Sequence, residues 1–388
     1  MLNIQVHVPN LVLAQRVIDK MVIAAQRFVE DETGEAMVGI IDPGLNTGGI
    51  PTLYVLDTIA PDETAEREFY SFEQGDDFQG DIFLWLADNW EIQRKKGLLP
   101  PNPRWNVALS YIGDWHRQPG FMIAPSGGDL RSAMDQLDDE HRETDFLLVP
   151  IVTLGHPSTT GQSVGTTTNY LTAPLDDGTN ARIDFWYIKQ GVAMFLPIHP
   201  VVYPDDQLPA LTPYPWHLLH ENRAELEIGQ LEYDQLFVSD AIQWDVDEVP
   251  PVEICFIVAR QGASRLLLLV THHDFPKKAP KAYVAPFQPM SPEDDQYDMF
   301  EKLWAKATPV SDPPGWKWSE DQYLIDYVHA IEDALGIERP EIPTADDLKV
   351  DIRKDGVGGG ANEPETTVDS TKNSPPEADE AGDGEESA

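Results

Sequence analysis

In the stretch YIGDWHRQPGFMIAPSGGDL, Tyr111 to Leu130, four side chains that can do chemistry stand close together: the His116 imidazole, the Gln118 amide, the Ser126 hydroxyl and the Asp129 carboxylate. Imidazole and carboxylate are the donors from which zinc sites without cysteine are built. Gln118 stands where a second imidazole would complete such a set. Each residue also has an ordinary role. Ser126 suits the N-cap of a helix through GDLRSAMDQL, and Asp129 suits that helix's first turn. A lone His at a strand end is commonly a polar surface group. Three further residues could bear on chemistry. His272 and His273 are adjacent on a strand and so point to opposite faces, which makes them a poor chelating pair. Cys255 lies in the apolar VEICFIV, where burial raises a thiol's pKa and leaves a small core residue.

A strand must deliver His116, the Pro119–Gly120 turn must redirect the chain, and a helix must start at Ser126. The first block supplies such elements. NLVLAQRVIDKMVIAAQRFVED has apolar residues at helical spacing, and GEAMVGIID and TLYVLDTIA read as strands. GDIFLWLADNWEIQRKKG reads as a helix, NVALSYIGDW as a strand, GDLRSAMDQLDDEH as a helix, and DFLLVPIVTL and RIDFWYIK as strands. This order predicts an α/β block, a mixed sheet with flanking helices. Closely spaced prolines in FLPIHPVVYPDDQLPALTPYPW cannot sustain a helix or a central strand, so a linker is expected at 195–214 between a domain at 1–194 and a second at 215–344. The second block reads as α+β: a helix in WHLLHENRAELEIGQLEYDQLF, strands VEICFIVAR and SRLLLLVTHH, and a helix in SEDQYLIDYVHAIEDALG. From 345 to 388 the Gly, Glu, Asp, Ser and Pro content predicts a disordered acidic tail.

Composition narrows the function classes. A chain of 388 residues with 41% apolar positions can bury a substantial core. Its formal charge of -40 argues against a nucleic-acid partner, since phosphate binding needs clustered Lys and Arg. No window approaches the roughly 18 to 20 apolar residues that span a bilayer, and the N-terminus lacks the pattern of a secretory signal. With one cysteine there is no disulfide framework and no four-cysteine zinc motif. A cytoplasmic location is the expectation, and any metal must be held by His and oxygen donors.

Taken together, HRQP followed by SGGD resembles the JAMM motif of the JAB/MPN metalloprotease family, His-x-His-Pro then Ser-x-x-Asp, at the family's separations. The upstream ETGEAMVG, Glu32 to Gly39, resembles that family's Glu-Thr-x-Gly-x-x-x-Gly junction, with Glu35 in place of the first Gly. The likeness extends over roughly residues 10 to 190. It implies a Zn2+ cofactor, with His116 and Asp129 as ligands and Gln118 at the third position. It further implies that Glu32 shuttles a proton from water to the leaving amine, and that Ser126 stabilises the oxyanion. Gln118 departs from the pattern and predicts weaker zinc binding. It leaves three readings: Gln118 as a weak ligand, completion by His141 or His156, or an inactive binding module. Survival of the other four residues favours retained chemistry.

In the second block, FPKKAPKAYV after the apolar strand resembles the Tyr-Pro-x-x-Pro-Pro-Lys stretch of ubiquitin-conjugating enzymes, and GWKWSEDQYLIDYVHAIEDALG resembles their Trp-Ser segment and following helix. The segment between holds no Cys, so the resemblance implies an inactive conjugating-enzyme or RWD-like domain. Together the two likenesses imply a zinc-dependent isopeptidase acting on a ubiquitin-like protein or a protein modified by one. The alternative they leave is a catalytically impaired scaffold within a modification complex.

Overall fold

The computed structural model describes residues 7–45, 48–75, 77–139, 145–161 and 167–339. The acidic tail expected from 345 onward and His141 lie outside them. Within the first block the strands are β1 (Asn10–Ala14), β2 (Thr33–Asp42), β3 (Thr52–Ile59), the short pair β4 (Glu66–Arg67) and β5 (Phe72–Glu73), β6 (Ser110–Arg117), β7 (Phe146–His156), β8 (Tyr170–Pro174), β9 (Asn180–Lys189), β10 (Leu196–Pro197) and β11 (Pro200–Tyr203). The helices are α1 (Gln15–Arg27), α2 (Phe78–Lys96) and α3 (Gly127–Leu137). Apart from β4 and β5, which pair with each other, these strands form one mixed sheet in the order β10-β9-β7-β6-β2-β3-β1-β11, with β8 alongside β9.

The helical reading of NLVLAQRV fails over its first five residues. Asn10–Ala14 pairs in parallel with both β3 and β11, so backbone pairing on two sides takes NLVLA into the sheet. Four consecutive apolar residues suit a strand buried on both faces as well as a helix, and no side chain caps the helix start at Ala14. From Gln15 onward Val17, Ile18, Met21, Val22 and Ala25 recur on one face, which packs against β1, β2, β3 and β7.

The second block contains α4 (Trp216–Leu219), α5 (Glu221–Tyr233), β12 (Leu236–Val238), β13 (Ile242–Trp244), β14 (Glu253–Arg260), β15 (Arg265–Thr271), β16 (Lys281–Pro286), α6 (Gln296–Trp304), β17 (Thr308–Pro309) and α7 (Leu324–Leu335). Its antiparallel sheet runs β12-β14-β15-β16-β17, with β13 beside β14. Residues along β14 alternate between two apolar clusters. Ile254, Phe256 and Val258 share one with α7, and Cys255 and Ile257 share the other with Phe300 and Leu303 of α6. A helical layer therefore covers each face. The proline-rich FPKKAPKAYV delivers β16, which is flanked by β15 on one side and the short β17 on the other.

The stretch read as a linker at 195–214 is part of the packed structure. Leu196–Pro197 pairs with β9 and Pro200–Tyr203 with β1, while Leu208, Leu211 and Tyr214 pack into the main apolar cluster. Prolines exclude helix and central strand but allow sheet edges, and both short strands use that allowance. The main cluster takes residues from both sheets, and the described residues up to Glu338 form one compact unit. Helix α2 joins the two sheets. Trp85 Nε1 donates to Pro213 O at 2.9 Å, and the amide of Val252 donates to Asn89 Oδ1 at 2.9 Å. Among the described residues no helix is long and apolar enough to cross a membrane.

Candidate functional site

Three elements far apart in sequence bring the singled-out residues together. Strands β2 and β6 pair antiparallel with Gly34 opposite His116 and Thr33 opposite Arg117. Continuing that register by one pair sets Glu32 opposite Gln118. Close approach here depends on Gly34, because a Cβ at that position would lie 2.3 Å from Trp115 O. The Glu32 amide donates to Glu68 O at 2.8 Å, in the turn between β4 and β5. Arg117, on the opposite side of β6 from its neighbours, donates to Asp31 O at 2.8 Å and to Val29 O, fastening the segment that carries Glu32. The Gln118 amide donates to Val152 O at 2.9 Å, which fixes the chain just beyond β6 against β7.

With backbones held this way, Gln118 Nε2 donates to Glu32 Oε1 at 2.8 Å. Ser126 caps α3 as expected, accepting from the amides of Gly128 and Asp129 at 3.1 and 3.2 Å. The Ser126 amide in turn donates to Asp129 Oδ2, closing a capping box. That leaves Asp129 Oδ1 facing His116 Nε2 across 3.9 Å. His116 Nε2 is buried without a hydrogen-bond partner. Burial raises the Glu32 pKa above its ordinary value, against the opposing pull of the nearby His116 and the hydrogen bond from Gln118.

Two of the donors, His116 Nε2 and Asp129 Oδ1, stand at a separation near that of ligands sharing one small cation. In a tetrahedral zinc site, nitrogen and oxygen ligands about 2.0 to 2.2 Å from the metal lie about 3.4 Å from each other. His116 Nε2 and Asp129 Oδ1 would have to close by about half an ångström to match, within the reach of side-chain adjustment. A buried imidazole nitrogen left unpaired otherwise costs on the order of 1 to 3 kcal/mol.

The other candidate ligands sit elsewhere or are engaged. His156 Nε2 lies 2.7 Å from Thr153 Oγ1, the ring packs edge-on against Phe121, and burial together with Arg182 lowers its pKa. His272 and His273 are not on a strand, because β15 ends at Thr271. Their rings lie side by side with centroids 3.9 Å apart rather than on opposite faces. His272 Nδ1 accepts from the Asp274 amide at 3.1 Å, and its Nε2 lies 2.9 Å from Lys278 Nζ. Cys255 is fully buried, and desolvation pushes its thiol well above the ordinary value.

One further group was not anticipated. Asp234, His329 and Glu332 offer donor atoms within 4.8 Å of one another. The cation among them is Arg260, which donates from Nε to Glu332 Oε1 at 2.6 Å, from Nη2 to Glu332 Oε2 at 2.9 Å, and also from Nη2 to Asp234 Oδ2. His329 Nε2 lies 3.0 Å from the same Asp234 oxygen. A guanidinium gripping both carboxylates makes this a buried ion-pair network first, and a metal would have to displace it. The sequence signal for it was slight: His329 and Glu332 are three apart on one helix face, while Asp234 and Arg260 come from other elements.

No family model matches the chain, and no curated protein matches it. Among solved structures, the solution structure of a protein from Desulfitobacterium hafniense matches at 15% identity with a TM-score of 0.28, over 50% of this chain and 93% of that one. A likeness at that score carries no argument about fold or function.

Proposed function

We propose that this chain is a zinc-dependent amide hydrolase of the JAB/MPN kind, acting on a ubiquitin-like protein or a protein modified by one, with a conjugating-enzyme-like second block that lacks a nucleophile. One observation carries the reading. Glu32, His116, Gln118 and Asp129 meet at one place, and a buried, unpartnered His116 Nε2 faces Asp129 Oδ1. Zinc held by His116 and Asp129, with Gln118 as third donor, would supply a water acidified to a pKa of about 7 and a Lewis acid for the scissile carbonyl.

The chain's own groups complete the chemistry. Glu32, with Oε1 occupied by the Gln118 amide, takes up a proton at Oε2 and delivers it to the departing amine. Its burial-raised pKa moves it toward the range in which a carboxylate exchanges protons near neutrality. Ser126 uses its oxygen as an acceptor for the helix cap, which leaves its O–H free to donate to the carbonyl oxygen as negative charge builds there.

The test is calorimetric titration of Zn2+ into the purified full chain beside cleavage of a ubiquitin-like fusion. Stoichiometric uptake is expected, with a rate that falls at least tenfold in Glu32→Gln. Absence of both uptake and cleavage would refute the hydrolase. The replacement of a second imidazole by Gln118 favours one other reading, a scaffold that binds the same partner without cleaving it. In that case Glu32→Gln leaves binding intact and no cleavage is seen at any zinc concentration.

A further inference from the structure

We infer that Gln118 couples metal capture to Glu32, its Nε2 anchored on the Glu32 carboxylate so that its Oε1 is presented as the third donor beside His116 and Asp129. This rests on the hydrolase reading of the same site and gives Glu32 a second duty, as the support of a ligand.

The orientation of the amide follows from what each partner can do. A carboxylate accepts hydrogen bonds and donates none, so the Gln118 end that faces Glu32 at 2.8 Å must be the NH2 group. The Oε1 on the same carbon is then left uncommitted by Glu32. Gln118 is 8% exposed, and its backbone is pinned by Val152 O, so the amide has little freedom to swing out into water. Both His116 and Asp129 lie close enough to Glu32 to act on its charge, so the carboxylate that holds the Gln118 amide belongs to the same cluster.

Metal-bound imidazoles are oriented in the same way, by a carboxylate or carbonyl that takes the other ring N–H. Losing such a partner typically weakens metal binding 10- to 100-fold. Here an amide replaces the ring and Glu32 is the outer partner. A neutral amide is a weaker donor than imidazole, so its orientation matters more. An amide free to rotate would often present its NH2 group to the cation and repel it. The resulting donor set, one nitrogen and two oxygens, also narrows the usual margin of zinc over harder ions such as Mn2+.

The experiment is a double-mutant cycle on metal affinity, read by calorimetry with Zn2+ and with Mn2+ on the full chain. The variants are Gln118→Leu, Glu32→Leu, the double variant and Glu32→Gln, each checked for an unchanged thermal midpoint in the absence of metal. Gln118→Leu and Glu32→Leu are each expected to weaken binding at least tenfold, and the double variant no further than Gln118→Leu alone, because Glu32 acts through Gln118. Glu32→Gln keeps an oxygen that accepts from the Gln118 NH2 group and is expected to stay within about threefold of wild type while losing hydrolysis. Losses that multiply in the double variant show Glu32 acting by charge alone, and overturn the inference while leaving the hydrolase reading in place. So does a Gln118→Leu variant that binds as tightly as wild type. Wild type that binds neither ion removes the reading on which the inference rests.

Discussion

Replacing Arg260 with Met should be among the most damaging single changes in the second block. Met keeps an apolar stem but stops short of the guanidinium, so the loss is chiefly of that group and its hydrogen bonds. Arg260 is 6% exposed and donates to Glu332 Oε1, Glu332 Oε2, the Asp234 carbonyl and Asp234 Oδ2. In the variant Asp234 keeps His329 at 3.0 Å, whereas Glu332, 1% exposed, loses both of the guanidinium bonds that balance its charge. Breaking a buried pair by removing one partner costs about 3 to 5 kcal/mol, which is a fifth or more of the roughly 5 to 15 kcal/mol that holds a domain folded. Urea unfolding at pH 7, followed by tryptophan fluorescence and far-ultraviolet circular dichroism, should show the midpoint falling accordingly with an unchanged slope. Adding Glu332→Gln to Arg260→Met should recover part of the loss, because the stranded charge is gone. A loss below about 1 kcal/mol, or no recovery in the double variant, would show that the network is solvated and that its bonds add little.

Three other changes test separate features. Burial pushes the His217 pKa down to about 4 from its ordinary 6.5, so the unfolded chain binds the proton first. Stability should therefore fall as pH drops from about 6.5 to about 4, by up to about 3 kcal/mol from this group, and His217→Phe should flatten that part of a pH series of thermal midpoints. Ser126→Ala should cost about 1 kcal/mol through the lost α3 cap and, under the proposed function, lower the cleavage rate 100- to 1,000-fold; Ser126→Asp should restore the cap in melting experiments and leave the rate low. Gly34→Ala should force β2 away from Trp115 O, lowering the melting temperature and weakening zinc uptake together; an unchanged zinc affinity would show that the spacing of Glu32 and Gln118 does not depend on this contact.

The parts of the fold that local patterns announce were legible in the sequence. The capping box at Ser126 and Asp129 is a four-residue signal, and Gln118 follows His116 by two, one residue past the end of β6. Glu32 was reached only through the likeness of ETGEAMVG to a known junction, since nothing local distinguishes it from its acidic neighbours. What places it opposite Gln118 is strand pairing across 86 residues. The same limit explains the misreadings. NLVLA has a pattern compatible with helix or strand, and only its neighbours β3 and β11, far away in sequence, decide between them. The prolines of 195–214 mark where helices cannot form but not where two-residue and four-residue edge strands attach. The ion-pair network around Arg260 joins residues 26 and 72 positions away, and no periodicity encodes it.

The order of strands in the first sheet has a geometric corollary. Strands β10 and β11 stand at its two extremes, yet only Ile198 and His199 separate them along the chain. Seven spacings of about 4.8 Å would hold those extremes roughly 34 Å apart in a flat sheet. Three peptide steps reach at most about 11 Å. The sheet must therefore curl until its rims nearly touch, and the buried Ile198 works as the tongue of a clasp that keeps the hoop shut. Glu32 and Gln118 lie just past the paired ends of β2 and β6, at the middle of that strand order and so across the hoop from the clasp.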